Sequence, residues 1–217
     1  MSDSRQHAHE PGRIQTSMTD LVVPLAGMPI RIERQYDSLE RATAGDFGFG
    51  WRLNYNVGFQ VDELHNVTMT MNGVRKTFAF TPVPNAIFQS FYAPVYTAPA
   101  GLYGKLESTS DTCNGLLVRP ASGGWGCGLG LPGQTFQINA WKYTDPAGRA
   151  YTWSRAAGLQ SIEDLNGNKL TFSPSGITSN SGNLSVPFER DSFGRITRIT
   201  DPLGKQYQYG YGGARGS

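Results

Sequence analysis

Apolar and polar residues alternate along this chain in short runs, and glycine, proline and asparagine punctuate them. An alternation of period two sets one face of a strand on a core and the other in water. Residues 29–36 show it plainly: Ile30, Ile32 and Arg34 point one way, Arg31, Glu33 and Gln35 the other. Residues 21–25 form a short apolar run before them, and Ala26-Gly27-Met28 is the connecting turn. The pair predicts a hairpin with one wet face. After a polar loop over 37–46, glycines in Phe47-Gly-Phe-Gly-Trp51 let Phe47, Phe49 and Trp51 pack against backbone. Residues 52–61 read as one continuing strand with Leu53, Tyr55, Val57, Phe59 and Val61 on a common face. Residues 66–71 and 74–80 flank Asn72-Gly73, a dipeptide that favours a type I′ hairpin turn.

From 81 to 135 the regularity is lost. Pro82, Pro84, Pro94, Pro99, Pro120 and Pro132 interrupt the apolar runs, which predicts an insertion of irregular loops and short edge strands. Residues 136–211 then read as a hairpin array. Its signature is Asp-x-x-Gly, present four times as Asp145 to Gly148, Asp164 to Gly167, Asp191 to Gly194 and Asp201 to Gly204. Asp opens a tight turn by bonding amides ahead of it, and Gly closes the turn at positive φ. Arg149, Asn168, Arg195 and Lys205 follow the four glycines. No segment has convincing helical periodicity. The expectation is an all-β protein: a polar, disordered tail over 1–18, a β segment over 19–80, the insertion over 81–135, an array of antiparallel hairpins in a curved, extended sheet over 136–211, and a flexible tail over 212–217.

Composition narrows the chemistry. The 217 residues include 27 Gly and 13 Pro but only 17% charged side chains, a balance suited to many strands and turns. Nineteen basic residues against seventeen acidic ones leave a net charge of +2 with no basic block, so nucleic acid is not implied as a partner. No apolar run reaches the roughly 18–20 residues of a membrane-spanning helix. The first residues lack the apolar core of a signal peptide, so either the protein acts where it is made, or it leaves by a route that needs no cleaved signal, or the chain start is not the natural one. The localisation expected is secreted or cell-surface by such a route, and cytoplasmic before export. Cys113 and Cys127 stand fourteen apart in a Gly-rich stretch, either as a loop disulfide or as two unpaired thiols. His65, beside Asp62 and Glu63, reads as a solvated turn histidine, and no acid or base has a partner at catalytic spacing. Neither a metal site nor a cofactor site is expected.

The run Arg195-Ile-Thr-Arg-Ile-Thr-Asp-Pro-Leu-Gly-Lys-Gln-Tyr-Gln-Tyr209 resembles the YD repeat of Rhs proteins, and residues 145–153 resemble a partial copy. Residues 24–38, followed by Gly45-Asp-Phe-Gly-Phe-Gly-Trp-Arg-Leu-Asn54, are similar to the segment that opens the Rhs shell region. The resemblance implies tandem hairpins that wind into a hollow shell around a toxin domain, in polymorphic toxins, toxin-complex subunits or adhesion proteins. A closed shell needs many repeats, and four turns make this chain the N-terminal piece of a larger shell or a short relative with another partner. The implied partner is the remainder of such a shell or another chain, including a toxin domain.

The array's aromatics are the binding candidates: Trp141, Tyr143, Tyr151, Trp153, Tyr207 and Tyr209. At alternating strand positions such rings serve either as cross-strand packing pairs or as faces that stack on sugars and apolar cargo. The leading functional reading is a non-catalytic shell module, and the second is a surface adhesion or carbohydrate-binding module.

Overall fold

The computed structural model describes residues 12–120, 123–129 and 133–212. Most of the expected N-terminal tail (1–11) and of the C-terminal one (213–217) therefore lies outside the described residues. The protein is all-β and built from antiparallel strands; among the described residues the only helical turn is the 3-10 turn Ser38–Glu40. Contacts divide the chain into two compact units, Met1–Asn56 with Asn168–Ser217, and Val57–Gly167.

In the first unit, Gln15–Val23 pairs with Ile30–Asp37, which pairs in turn with Trp51–Leu53. The alternation of 29–36 is realised: Ile30 and Ile32 are fully buried, while Arg31 is exposed. The first strand starts at Gln15 rather than near 21, so residues 15–18, read above as tail, are strand. They carry little apolar signal of their own; what orders them is the ladder with Arg34 to Asp37. Asp37 is buried and accepts from Arg13 Nη2 (2.5 Å), Gln15 Nε2 (3.2 Å) and the Leu39 amide (3.0 Å). The C-terminal hairpins of the unit follow in register from Lys169–Ser173 through Gly176–Ser179, Ser185–Arg190 and Ile196–Thr200 to Gln206–Gln208. Their inward-facing Leu170, Ile177, Val186, Phe188, Ile196 and Ile199 form one core with Leu21, Val23, Ile30, Ile32, Phe47 and Leu53. Each fully buried aliphatic side chain of that size contributes about 1.5–3 kcal/mol. Gly176 lets two strands approach: at φ 143°, a Cβ there would lie 2.4 Å from the Val186 carbonyl oxygen.

Two expectations fail around residue 50. Phe49 is 67% exposed, because Gly48 and Gly50, at φ 100° and 74°, turn it outward while Phe47 and Trp51 turn in. The strand foreseen over 52–61 is broken. Asn54 exchanges bonds with Glu33 through backbone and side chain, and the Asn56 amide bonds the Leu53 carbonyl, which closes a turn. Leu53 therefore belongs to the core of the first unit and Val57 to that of the second.

In the second unit, Val57–Val61, Val67–Met71 and Val74–Phe80 form a meander that Tyr96–Thr97 extends. Asn72 and Gly73 both have positive φ, as a type I′ turn requires. A second set runs from Lys105–Asp111 through Ile138–Thr144 and Ala150–Ser154 to Gly158–Glu163. Pairs of two-residue strands, including Leu117–Val118 with Gly126–Cys127, carry the Cys113–Cys127 disulfide at a Cα–Cα distance of 4.7 Å. Within the stretch read as irregular, Lys105–Asp111 is a full seven-residue strand. Its only large apolar residue, Leu106, is 2% exposed, so pairing with the Ile138–Thr144 strand, not hydrophobic patterning, defines it.

Two outcomes are expected. Trp141, 1% exposed and stacked on Phe59, should cost about 3–5 kcal/mol when cut to alanine, whereas Phe49→Ala should stay within about 0.5 kcal/mol, both read from denaturant unfolding. Burial pushes the Asp37 carboxyl up, but the bonds from Arg13, the Leu39 amide and Gln15 outweigh it and hold the group below the usual carboxylate range. A depressed folded-state pKa adds stability that is fully present above about pH 4 and is lost as pH falls through the folded value. Unfolding midpoints of Asp37→Asn should accordingly fall less steeply than those of the parent between about pH 4 and 2.

Candidate functional site

The four Asp-x-x-Gly turns share one atomic plan. The Gly amide bonds the Asp carbonyl, at 2.9 Å for Gly148, 3.1 Å for Gly167 and 3.0 Å for both Gly194 and Gly204. The Asp Oδ1 accepts the amide two residues on, in Ala147, Asn166, Phe193 and Leu203. Asp145, Asp191 and Asp201 Oδ1 also accept the amide four residues on, in Arg149, Arg195 and Lys205, each at 2.9 Å. All four glycines have φ between 78° and 86°. In the first and third copies the following arginine turns back onto the same carboxylate, through Arg149 Nε at 3.0 Å and Arg195 Nε at 2.8 Å. Lys205 instead lies over the Tyr207 ring, 4.9 Å from its centroid.

In the first unit an open concavity of about 730 Å³ lies between its first and last strands. At its centre Arg34 forms two bonds with Asp20, Nε to Oδ2 at 2.7 Å and Nη2 to Oδ1 at 2.9 Å. The guanidinium carbon stands 5.3 Å from the Tyr209 ring centre and 5.9 Å from those of Phe47 and Trp51. Tyr209 Oη donates to Asp20 Oδ2 at 2.9 Å. The bond to Asp20 raises the Arg34 pKa against the opposing effect of burial. Burial raises that of the Tyr209 phenol, and the bond to Asp20 adds to it. The group is thus an ion pair in an aromatic frame, with Tyr209 as a second donor to the Asp20 carboxylate. It ties the Gln15–Val23 strand to the chain just past Gln206–Gln208.

The second unit holds a smaller cavity of about 320 Å³, lined by Phe59, Val61, His65, Tyr96, Phe136 and Arg155 among others. His65, at φ 64°, lies 5.4 Å from both the Phe80 and Phe136 ring centres. Burial lowers its pKa against the pull of Asp62, so the imidazole is neutral near pH 7. Asp62 itself accepts the Leu64 and Asn66 amides, the work of a turn residue.

The array's aromatics divide by burial. Trp141 and Tyr143 are 1% and 0% exposed, so neither presents a face to a ligand. They stand directly opposite Trp153 and Tyr151 as cross-strand pairs, and Lys76 Nζ donates to Tyr143 Oη at 2.9 Å. Tyr151 and Trp153 are half-buried, with Trp153 against Phe59 at 4.7 Å. Tyr207 and Tyr209 are half-buried and line the larger concavity. Asp20 and the partnership of Arg34 escaped sequence reading, which placed Phe59 only on an apolar strand face; the charge at position 34 on an otherwise apolar face was the one available signal for the pair. Among the described residues no group of three His, Cys, Asp or Glu could hold a metal ion, and no helix is long and apolar enough to cross a membrane.

Comparison with known families gives two matches. A family described as a domain of unknown function (DUF6531) matches residues 11–78, and the RHS Repeat family matches residues 190–216. The second spans the third and fourth Asp-x-x-Gly turns and the strands around them. No curated protein matches the chain.

Gly204 isolates the conformational demand of these turns, since a Cβ there would meet nothing within 4 Å. Gly204→Val should destabilise by about 1–2 kcal/mol through positive φ alone, and Gly204→Asn by clearly less, because Asn tolerates that region. Chemical denaturation of the two variants side by side measures the difference.

Proposed function

The chain is an Rhs/YD-repeat protein, and on that premise we propose that it is a non-catalytic structural module of a shell that encloses or presents a toxin or another polypeptide. The observation that carries this reading is the fourfold recurrence of one turn, in which the Gly amide bonds the Asp carbonyl and the Asp side chain accepts the amide two residues on. The first, third and fourth copies join antiparallel strands. Repetition of that kind builds a wall from one supersecondary unit and leaves chemistry to whatever the wall surrounds. The acids of the array have structural work: Asp145, Asp164, Asp191 and Asp201 accept the amides of their own turns. The Gln206–Gln208 strand pairs with Ile196–Thr200 and, among the described residues, ends its sheet, so its other edge can take a further strand of the shell or of another chain. The disulfide supports export to the cell surface or beyond, since such bonds persist in oxidising compartments. A carbohydrate-binding or adhesion surface is the second reading. Trp51, Tyr207 and Tyr209 around the larger concavity favour it, and a glycan array separates it from the first.

The free edge supplies the test. Tyr209 N donates inward to Thr197 O, so the alternation of an antiparallel ladder turns the Gln208 amide outward. The isolated chain should associate in a concentration-dependent way on sedimentation, and Gln208→Pro should abolish this without loss of fold. A parent protein that stays monomeric from micromolar to millimolar concentration, with this strand protected from amide exchange, would count against the shell reading.

A further inference from the structure

The smaller cavity has the makings of a ligand site that neither the turns nor the free edge requires. Its volume of about 320 Å³ suits a ligand with a single ring. Its walls are planar: Phe59 stacks on Trp141 with centroids 5.7 Å apart and a 10° interplanar angle, and Phe136 stacks on Phe80 at 5.5 Å and 26°. These contacts hold the rings from behind. His65, against both Phe80 and Phe136, is neutral, because burial opposes its protonation. The one permanent cation on the lining is Arg155. Its Nη2 donates to the Ile138 carbonyl at 3.2 Å, which orients the guanidinium, and among the described residues it has no carboxylate partner. No aspartate or glutamate lines the cavity to compete for it. The hydroxyl of Tyr96, another lining residue, is buried with no hydrogen-bond partner, a state that native interiors seldom leave unexplained.

We propose that this cavity binds a small aromatic carboxylate, with its ring among Phe59, His65 and Phe136 and its carboxylate paired with Arg155. Aromatic walls favour a flat, polarisable body over a branched aliphatic one. A guanidinium presents a planar fork that matches a carboxylate in two parallel bonds, and Arg155 has donors left after its bond to Ile138.

The test uses the full chain and phenylacetate as probe, with affinity read by titration calorimetry. Phenylacetate should bind with one-to-one stoichiometry, and the uncharged isostere phenylacetamide at least about tenfold more weakly, as expected when a charge-assisted bond is lost. Arg155 is exposed, so Arg155→Gln should leave thermal unfolding unchanged while weakening phenylacetate by about 10–100-fold. Val61→Trp, at a 40% exposed lining position, should block entry and abolish binding whatever the state of Arg155. The proposal is overturned if phenylacetate shows no saturable binding up to about 10 mM, a limit corresponding to negligible affinity. It is equally overturned if the amide binds as tightly as the acid, or if Arg155→Gln binds like the parent.

Discussion

The array depends on a carboxylate that accepts backbone amides. In each Asp-x-x-Gly turn the side chain of Asp accepts the amide two residues ahead of it, and the Gly amide closes onto the Asp carbonyl. This fixes the turn, and the turn fixes the register of the two strands it joins. Register is decisive in a sheet with one buried face, because a slip of one residue carries every apolar side chain to the wrong side. Ile196 and Ile199, both at 0% exposure, lie between the third and fourth turns, so both depend on turn geometry set at their two ends. A bulge at Thr197, opposite Glu189 and Arg190, adds the extra residue that keeps Ile196 and Ile199 facing inward despite their odd spacing.

Polar groups that carry charge in this protein are mostly spent on holding strands. Arg34 and Asp20 bond each other twice, and Tyr209 completes the set from a segment far along the chain. An ion pair in a partly buried frame adds little net stability by itself, because desolvation offsets much of the attraction. Its value here is positional: a guanidinium flanked by Phe47, Trp51 and Tyr209 accepts one arrangement of the first and last strands and penalises others. Arg190 works similarly, bonding Asp46 at 2.8 Å and the Gly194 carbonyl at 2.6 Å, and so joins a loop near the start to a turn near the end.

The cavity near His65 is a different kind of feature. Its rings are held by other rings, and its one unpaired cation sits at the edge of an apolar space. Nothing in the turn chemistry calls for that combination, and it differs from the larger concavity, where Arg34 is paired with Asp20.

The sequence alone determined the all-β class, the hairpin turns and the alternation that buries Ile30 and Ile32, because these follow from interactions within a few residues. Turn chemistry and period-two patterning are local, and local signals survive in the sequence. Tertiary structure decided the rest. Residues 15–18 and 105–111 are strands only because a partner ladder lies beside them; the first has no apolar pattern and the second a single Leu106. Phe49 and Trp141 look alike as aromatics in strand-like runs, yet one faces water and the other is sealed by Phe59 and Tyr96, contacts that come from remote segments. The break at Asn54 depends on Glu33, and the Arg34–Asp20–Tyr209 set spans almost the whole chain. Such partnerships are distances in space, and the order of residues records them only where burial leaves a charge on an apolar face, as it does at Arg34.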